Sequence, residues 1–252
     1  MSATEPTPAP AGPTPHRGVA AVVPCKDEAD RIDATLAAVR TLPDVDLVVV
    51  VDDGSTDDTA SVAQAAGAVV VRHPRNRGKA AALQTGVARV RSEEALDGTP
   101  ARHLLFVDGD LQDTAARLAV LVEPVRRGEA DMTIATLPPQ LSPGGGHGFV
   151  VRLAREGIER LTGFRPVQPL SGMRCLTAEA YAAAVPLAPG WGVEVGLTVD
   201  VLRAGLRVVE VPCELQHRVS GTHWRSQLHR AAQYRDVWLA LAARRMGRAR
   251  RP

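Results

Sequence analysis

The stretch LLFVDGDLQD, residues 104–113, runs from four apolar residues directly into two aspartates separated by one glycine. Asp108 and Asp110 therefore follow a segment typical of a buried strand, and residues two apart in an extended segment point the same way. Two such carboxylates supply the hard oxygen ligands that Mg²⁺ or Mn²⁺ prefers, and Gly109 lets the backbone bend between them. Because Asp-Gly-Asp is also a turn signal, the rest of the chain must decide between a turn and a binding site.

Short apolar runs alternate with amphipathic runs through the first half of the chain. Apolar runs without polar alternation are typical of strands covered on both faces, and their alternation with helices favours a parallel, doubly wound sheet. The sequence thus predicts an α/β fold with a mostly parallel central sheet flanked by helices. The strand-like runs are VAAVVP (19–24), VDLVVVVDD (45–53), AVVVR (68–72), RHLLFVDGD (102–110) and ADMTIAT (130–136).

The pattern changes after residue 137. The run LPPQLSPGGGHG (137–148) predicts a loop, either a flexible loop beside a site or a plain surface connector. Beyond it we expect a smaller subregion of helices with one short strand, then an exposed-face or edge strand in LRVVEVPCELQHR (206–218), and a last helix over 222–245.

Composition narrows the class of protein. A chain of 252 residues can bury one sizeable core, and a formal net charge of +2 argues against a nucleic-acid partner. The last ten residues carry five arginines and no acid, which fits either a solvated end or contact with an acidic membrane surface. The last helix equally permits packing in a homodimer.

Three cysteines, Cys25, Cys175 and Cys213, lie far apart among apolar residues. They predict buried free thiols and a cytoplasmic location, with a peripheral position at the inner face of the membrane left open. No run approaches 18 apolar residues, and the Pro-rich residues 1–17 are expected to be a disordered tail.

A second predicted strand also ends in acids. The stretch VVVVDDGSTDDT (48–59) places Asp53 where the carboxyl ends of parallel strands meet, so its carboxylate can accept hydrogen bonds from a base or ribose. Turn chemistry explains one such ending, whereas two in one sheet favour a binding cleft. The stretch RHPRNRGKAAAL (72–83) then puts Arg75, Arg77 and Lys79 at a helix start, which either attracts phosphate or forms a solvated basic loop.

These segments, together with VVPCKDEADRI (22–32), resemble family 2 glycosyltransferases of the GT-A fold over roughly residues 19–220. The resemblance implies a nucleotide-sugar donor, a divalent cation (Mg²⁺ or Mn²⁺) on the Asp-x-Asp motif, and sugar transfer to an acceptor. Matching the motifs assigns the site residues by role: Pro24, Glu28 and Asp53 to the nucleoside, Lys79 to the base or diphosphate, Asp108 with Gly109 to the donor or metal, and Asp110 to the metal.

The second half resembles two groups of these enzymes. QPLSGMRCLTAEAY (168–181) and the segment from Gly190 onward are similar to glucosyl-3-phosphoglycerate synthases, which implies that His217 completes the metal site and Glu194 contacts the donor sugar. VPCELQHRVSGTHW (211–224) is also similar to polyprenyl-phosphate sugar transferases, which implies that Arg218 lies near the acceptor phosphate. The chain is shorter than the first group and lacks the membrane helices of many members of the second.

Each candidate site residue in the second half of the chain also has a purely structural interpretation. A histidine in a strand is usually structural, and Glu194 can be a surface helix cap, although it is the one candidate general base for a hydroxyl acceptor. Ser171 and Gly172 either bring backbone close to the donor or acceptor or merely form a turn. For Trp191 and Trp224, core packing is the default and sugar stacking the alternative.

The sequence therefore predicts a metal-dependent glycosyltransferase, with UDP favoured over GDP. The acceptor is a polyprenyl phosphate or a small phosphorylated acid such as 3-phosphoglycerate, and the GT-A domain is expected over 18–221 with a basic tail at 246–252. A sugar-phosphate nucleotidyltransferase or a dehydrogenase is expected to have a glycine-rich loop after the first strand. The segment PCKDEADRI at this position has no glycine, which argues against both classes. A non-catalytic nucleotide-sugar-binding protein would be expected to lose a metal acid, and none is missing.

Overall fold

A computed structural model describes residues 18–137, 147–215 and 225–247. Its strands are β1 (Val19–Cys25), β2 (Val45–Asp52), β3 (Val69–Arg72), β4 (His103–Phe106), β5 (Met132–Thr136), β6 (Arg174–Leu176) and β7 (Val208–Pro212). Its α-helices are α1 (Ala29–Val39), α2 (Thr59–Ala65), α3 (Lys79–Asp97), α4 (Ala119–Arg126), α5 (His147–Thr162), α6 (Ala178–Ala184), α7 (Val193–Arg203) and α8 (Arg225–Arg245). Two 3₁₀ segments, Gln112–Leu118 and Gly190–Gly192, precede α4 and α7.

The seven strands form one mixed sheet in the order β3-β2-β1-β4-β6-β5-β7. All neighbours are parallel except β6, which runs antiparallel to both β4 and β5. The predicted mostly parallel sheet is confirmed, and β7 is the edge strand that its alternating sequence indicated.

The central strand β1 explains why its sequence is apolar without alternation. Val19, Ala21 and Val23 face a core built with α1 and α4, whereas Ala20 and Val22 face a second core built with α3, α6 and α7. Each side chain therefore reaches an apolar layer, and period-2 polarity is absent.

A third apolar cluster joins α5, α7 and α8, where Ala154, Val199 and Val237 are each fully buried. Arg244 of α8 also donates from Nε to Asp200 of α7 at 2.8 Å. The C-terminal helix therefore packs on the body of the sheet domain.

The three thiols are buried and free, as predicted. Burial raises the pKa of Cys175 to about 12, and burial together with nearby carboxylates, Asp52 first, does the same for Cys25. Of the helices that the structure describes, none combines the length and the apolar character needed to span a membrane.

Close packing of α3 on the sheet depends on Gly86. A Cβ added there would overlap Val22 Cγ1 and lie 3.1 Å from Val51 Cγ2. We expect Gly86→Ala to lower the free energy of unfolding by about 1–3 kcal/mol, the usual cost of overpacking. The matched control is Gly148→Ala in α5, where an added Cβ meets no atom of the described residues within 4 Å and helix propensity favours alanine. Urea unfolding measures both variants, and equal effects would contradict the packing argument.

Candidate active site

A cavity of about 440 Å³ opens at the carboxyl ends of β1, β2 and β4, beside the first turns of α3 and α7. Both predicted strand-end acids, Asp53 and Asp108, line it, so the two acidic strand ends do meet at one edge of the sheet. A smaller cavity of about 270 Å³ lies between α5 and α8, away from these acids. The larger cavity is lined by Pro24, Cys25, Lys26, Asp53, Asn76, Gly78, Lys79, Ala82, Asp108, Gly190, Trp191, Val193 and Glu194.

The Asp53 carboxylate organises the loop between β3 and α3. It accepts hydrogen bonds from the backbone N–H of Arg77 at 2.8 Å and of Gly78 at 2.7 Å, and it lies 2.7 Å from Nδ1 of His73. Gly78 has φ of +85°, which a glycine adopts without strain. Asp53 therefore fixes where α3 begins, and so where Lys79 enters the cavity.

Lys79 lies between two acids from distant parts of the chain. Its Nζ is 2.7 Å from Asp108 Oδ1 and 3.4 Å from Glu194 Oε1. Burial alone would lower the pKa of the Lys79 ammonium, but the charges and hydrogen bonds of the two carboxylates outweigh burial and raise that pKa. The site thus holds one fixed positive charge between two carboxylates.

The segment that precedes β6 lies directly against this group. A Cβ at Gly172 would overlap the Lys79 ammonium and lie 3.4 Å from the Asp108 carboxylate oxygens, so any side chain here would have to displace the end of the Lys79 side chain. Ser171 is buried, and its Oγ has no hydrogen-bond partner in the described parts of the chain. Gly172 therefore lies beside the charged group, with Ser171 next to it in the chain. Their contact with a donor or acceptor stays a prediction.

The side chain of Arg174, a residue that the sequence did not suggest, binds the backbone of the segment that precedes β6. It is 1% exposed and donates hydrogen bonds to the carbonyl of Ser171 and to Oγ1 of Thr198, both at 2.9 Å. Burial lowers the pKa of its guanidinium to about 10. Its signal in the sequence was an arginine inside the strand-like run GMRCLT, residues 172–177.

The residues present fit a divalent cation, although the set is incomplete among the described residues. Asp108 faces the cavity, and Asp110, two residues on, is partly buried. The hydrogen bond and charge of Glu28, with a smaller contribution from the charge of Asp110, raise the pKa of the Arg31 guanidinium. Residues 18–137, 147–215 and 225–247 contain no cluster of three metal-ligating side chains. Two carboxylates with the oxygens of a bound diphosphate would suit Mg²⁺ or Mn²⁺. The third predicted ligand, His217, lies outside the described residues.

Some predicted residues lie away from the cavity. The Glu28 carboxylate accepts a hydrogen bond from Arg31 Nη1 at 2.8 Å, and neither Glu28 nor the exposed Arg75 lines the cavity. Arg218 lies outside the described residues. Pro24, by contrast, lines the cavity as expected.

Gly109 lies in a turn, and a Cβ there would lie 2.9 Å from Cys25 Cβ, so the glycine lets the backbone bend without a side-chain clash, as expected. The default expectation that Trp191 packs in the core is wrong, because its side chain is 40% exposed and lines the cavity. Trp224 lies outside the described residues.

The cavity also includes residues that the sequence did not suggest, among them Lys26 and Asn76. Asn76 stands inside the motif that supplied Lys79, so its position in that loop was the available signal.

Comparison with known proteins agrees with this geometry. The model of the family described as Glycosyl transferase family 2 matches residues 20–148. Glucosyl-3-phosphoglycerate synthase of Mycolicibacterium paratuberculosis is 33% identical over 218 residues, covering 77% of this chain and 63% of that protein. The glycosyltransferase AglJ of Haloferax volcanii is 30% identical, covering 83% of this chain and 66% of that protein. The chain thus spans less than two thirds of the length of these curated relatives.

Solved structures are similar over most of the chain. The crystal structure of glucosyl-3-phosphoglycerate synthase from Mycobacterium tuberculosis with Mn²⁺, uridine diphosphate and phosphoglyceric acid has a TM-score of 0.69 and 30% identity, and the match covers 90% of this chain and 78% of that one. Its complex with phosphoglyceric acid alone gives the same TM-score at 31% identity, with 90% and 80% covered. The fold is therefore that of the GT-A enzymes, and the chain belongs to glycosyl transferase family 2.

Proposed function

We propose that this protein is a metal-dependent glycosyltransferase that moves glucose from UDP-glucose to a small phosphorylated acid, 3-phosphoglycerate. The observation that carries the proposal is the cavity at the strand ends, where Asp53, Lys79, Asp108 and Glu194 converge. The names of the similar proteins support UDP, a divalent metal and phosphoglycerate as the ligands to test first. The buried free thiols fit a reducing, cytoplasmic setting.

The position of each residue in or beside the cavity suggests which part of the substrates it would contact. Pro24 and Asp53, at the ends of β1 and β2, would border the nucleoside, and Lys79 would bring its ammonium to the diphosphate. Trp191, at the mouth, offers an aromatic face to the sugar. Ser171, Gly172 and the undescribed Arg218 would border the acceptor.

Asp108 and Asp110, with His217, are the residues that would hold a Mg²⁺ or Mn²⁺ ion. The bound ion would supply charge neutralisation for the departing diphosphate. Glu194 would accept the proton of the acceptor hydroxyl. The oxygen of that hydroxyl would bond to the sugar carbon while the bond from this carbon to the diphosphate breaks. Glu194 is suited to this role because it reaches the cavity from α7 beside Lys79.

A polyprenyl phosphate acceptor with peripheral membrane contact is the second candidate, and one observation favours it. Four large apolar side chains of α8 and the residue after it are 45–72% exposed, shortly before the arginine-rich end of the sequence: Tyr234, Trp238, Leu239 and Met246. Aromatic and basic residues together suit an anionic lipid surface. A homodimer would cover the same side chains.

To decide between the two acceptors, the purified protein is incubated with labelled UDP- or GDP-sugars, Mn²⁺ or Mg²⁺, and either 3-phosphoglycerate or a short polyprenyl phosphate. The measurement is the transfer of labelled sugar to each acceptor. We expect label from UDP-glucose in phosphoglycerate, and its loss when a chelator removes the metal. Label in the lipid would replace the first candidate by the second. Absence of donor binding and of donor hydrolysis would overturn both and favour a non-catalytic protein.

Removing one metal acid should stop transfer without unfolding the protein. We expect Asp110→Ala to lower the rate by about a thousandfold, since metal stabilisation of the departing charge is worth several kcal/mol. The control is Asp58→Asn, an exposed acid at the start of α2 whose side chain makes no capping hydrogen bond. Initial rates with saturating Mn²⁺ measure both, and near-normal turnover in Asp110→Ala would remove the metal assignment.

Lys79→Met should change metal and nucleotide affinity in opposite directions. Without the ammonium, Asp108 loses a positive charge 2.7 Å away, so Mn²⁺ alone should bind about tenfold more tightly. UDP should bind more weakly, because its diphosphate loses a cation. Lys26→Met is the control, since Lys26 also lines the cavity but pairs with the exposed Asp27. Calorimetry with Mn²⁺ and UDP separately measures these affinities, and parallel losses of both would contradict the assigned role.

A further inference from the structure

Helix α8 lies 77 residues or more beyond the part of the chain matched by the family model, which ends at residue 148. It nevertheless reaches the wall of the cavity. The segment Gly190–Gly192, here called the GWG turn, lines the cavity on one side and packs on α8 on the other.

The contact between the GWG turn and α8 is built for close approach. Asp236 Oδ2 accepts a hydrogen bond from the backbone N–H of Trp191 at 3.2 Å. Gly190 has φ of +59°, and a Cβ there would overlap the Asp236 carboxylate. A Cβ at Gly192 would lie 2.7 Å from Ala240 Cβ and 2.8 Å from the carbonyl oxygen of Asp236. Both glycines are therefore needed for α8 to sit this close.

The Asp236 side chain is itself held in place. It is 14% exposed, and its other oxygen, Oδ1, accepts hydrogen bonds from Arg235 Nε at 3.0 Å and Nη2 at 2.8 Å. Oδ1 thus accepts hydrogen bonds from a side chain of the same helix, and Oδ2 accepts one from the backbone of the GWG turn.

The turn determines where two cavity residues stand. Trp191 is its central residue, and α7 begins directly after it, with Glu194 in the first helical turn. A turn containing a glycine at positive φ has other accessible conformations, and a binding site populated only part of the time binds more weakly in proportion.

We propose that Asp236 is a positioning residue of the donor site, which acts by fixing the GWG turn and hence Trp191 and Glu194. Its link to the donor rests on the proposed function, whereas its hold on the turn does not. On this basis, the C-terminal helix α8 contributes to donor binding through Asp236, although none of its described residues itself lines the cavity.

The test compares Asp236→Ala, Asp236→Asn and a matched control, Asp200→Asn. Asp200 pairs with Arg244, which also joins α7 to α8 but at the far end of α7 from Glu194. We expect Asp236→Ala to weaken binding of UDP in the presence of Mn²⁺ by about tenfold, the usual scale for one charged hydrogen bond. Asp236→Asn should stay within about threefold of the wild type, because its amide oxygen still accepts from Trp191.

Hydrogen exchange at the Trp191 amide, followed by NMR, reports on the turn without any ligand. We expect faster exchange in Asp236→Ala alone, with thermal melts showing that all variants are folded. Unchanged Trp191 protection, or an equal loss of UDP affinity in Asp200→Asn, would overturn the proposal. If the wild type fails to bind UDP with Mn²⁺, the proposed function fails, and the exchange comparison still decides the role of Asp236.

Discussion

The arrangement of the site depends on one buried carboxylate, that of Asp53. A buried carboxylate is costly unless its oxygens are hydrogen-bonded, and here the backbone N–H groups of Arg77 and Gly78 bond to both of them. This requirement fixes the loop after β3, and the loop fixes the first residue of α3. Lys79 is that residue, so its ammonium can lie between Asp108 and Glu194 only while the Asp53 hydrogen bonds persist. A hydrogen bond at the end of β2 thereby sets the charge pattern at the end of β4.

That charge pattern has a consequence for how ligands of the proposed enzyme would bind. Lys79 is the counter-ion of Asp108, and this pairing competes with a divalent cation for the same carboxylate. A nucleoside diphosphate offers Lys79 another anionic partner and offers the cation additional oxygen ligands. The proposed donor and metal should therefore favour each other's binding, and each should bind weakly alone. The coupling follows from charge balance and needs no large movement of the fold.

The sequence predicts features that depend on short-range periodicity and misses features that depend on distant contacts. Unbroken apolar runs indicate doubly covered strands, and acids at their ends must share one edge, so the positions of Asp53 and Asp108 were predictable. The three-residue strand β6 was recognised, but its antiparallel insertion between β4 and β5 is set by packing across the sheet. Trp191 was assigned to the core because its exposure depends on α8, more than 30 residues away in sequence. His217 and Arg218 lie outside the described residues, and their roles stay predictions.

The reversed direction of β6 explains how the second half of the chain reaches the edge of the sheet at which an acceptor is proposed to bind. Because β6 is antiparallel, its first residue, Arg174, pairs with Phe106 near the end of β4 rather than near its start. The segment before β6, with Ser171 and Gly172, is thereby brought to the same edge as the carboxyl ends of the parallel strands. Arg174 then uses its buried guanidinium to hold the carbonyl of Ser171 at that edge. A single strand reversal thus brings a segment from the second half of the chain to the edge of the sheet where Lys79 and Asp108 lie.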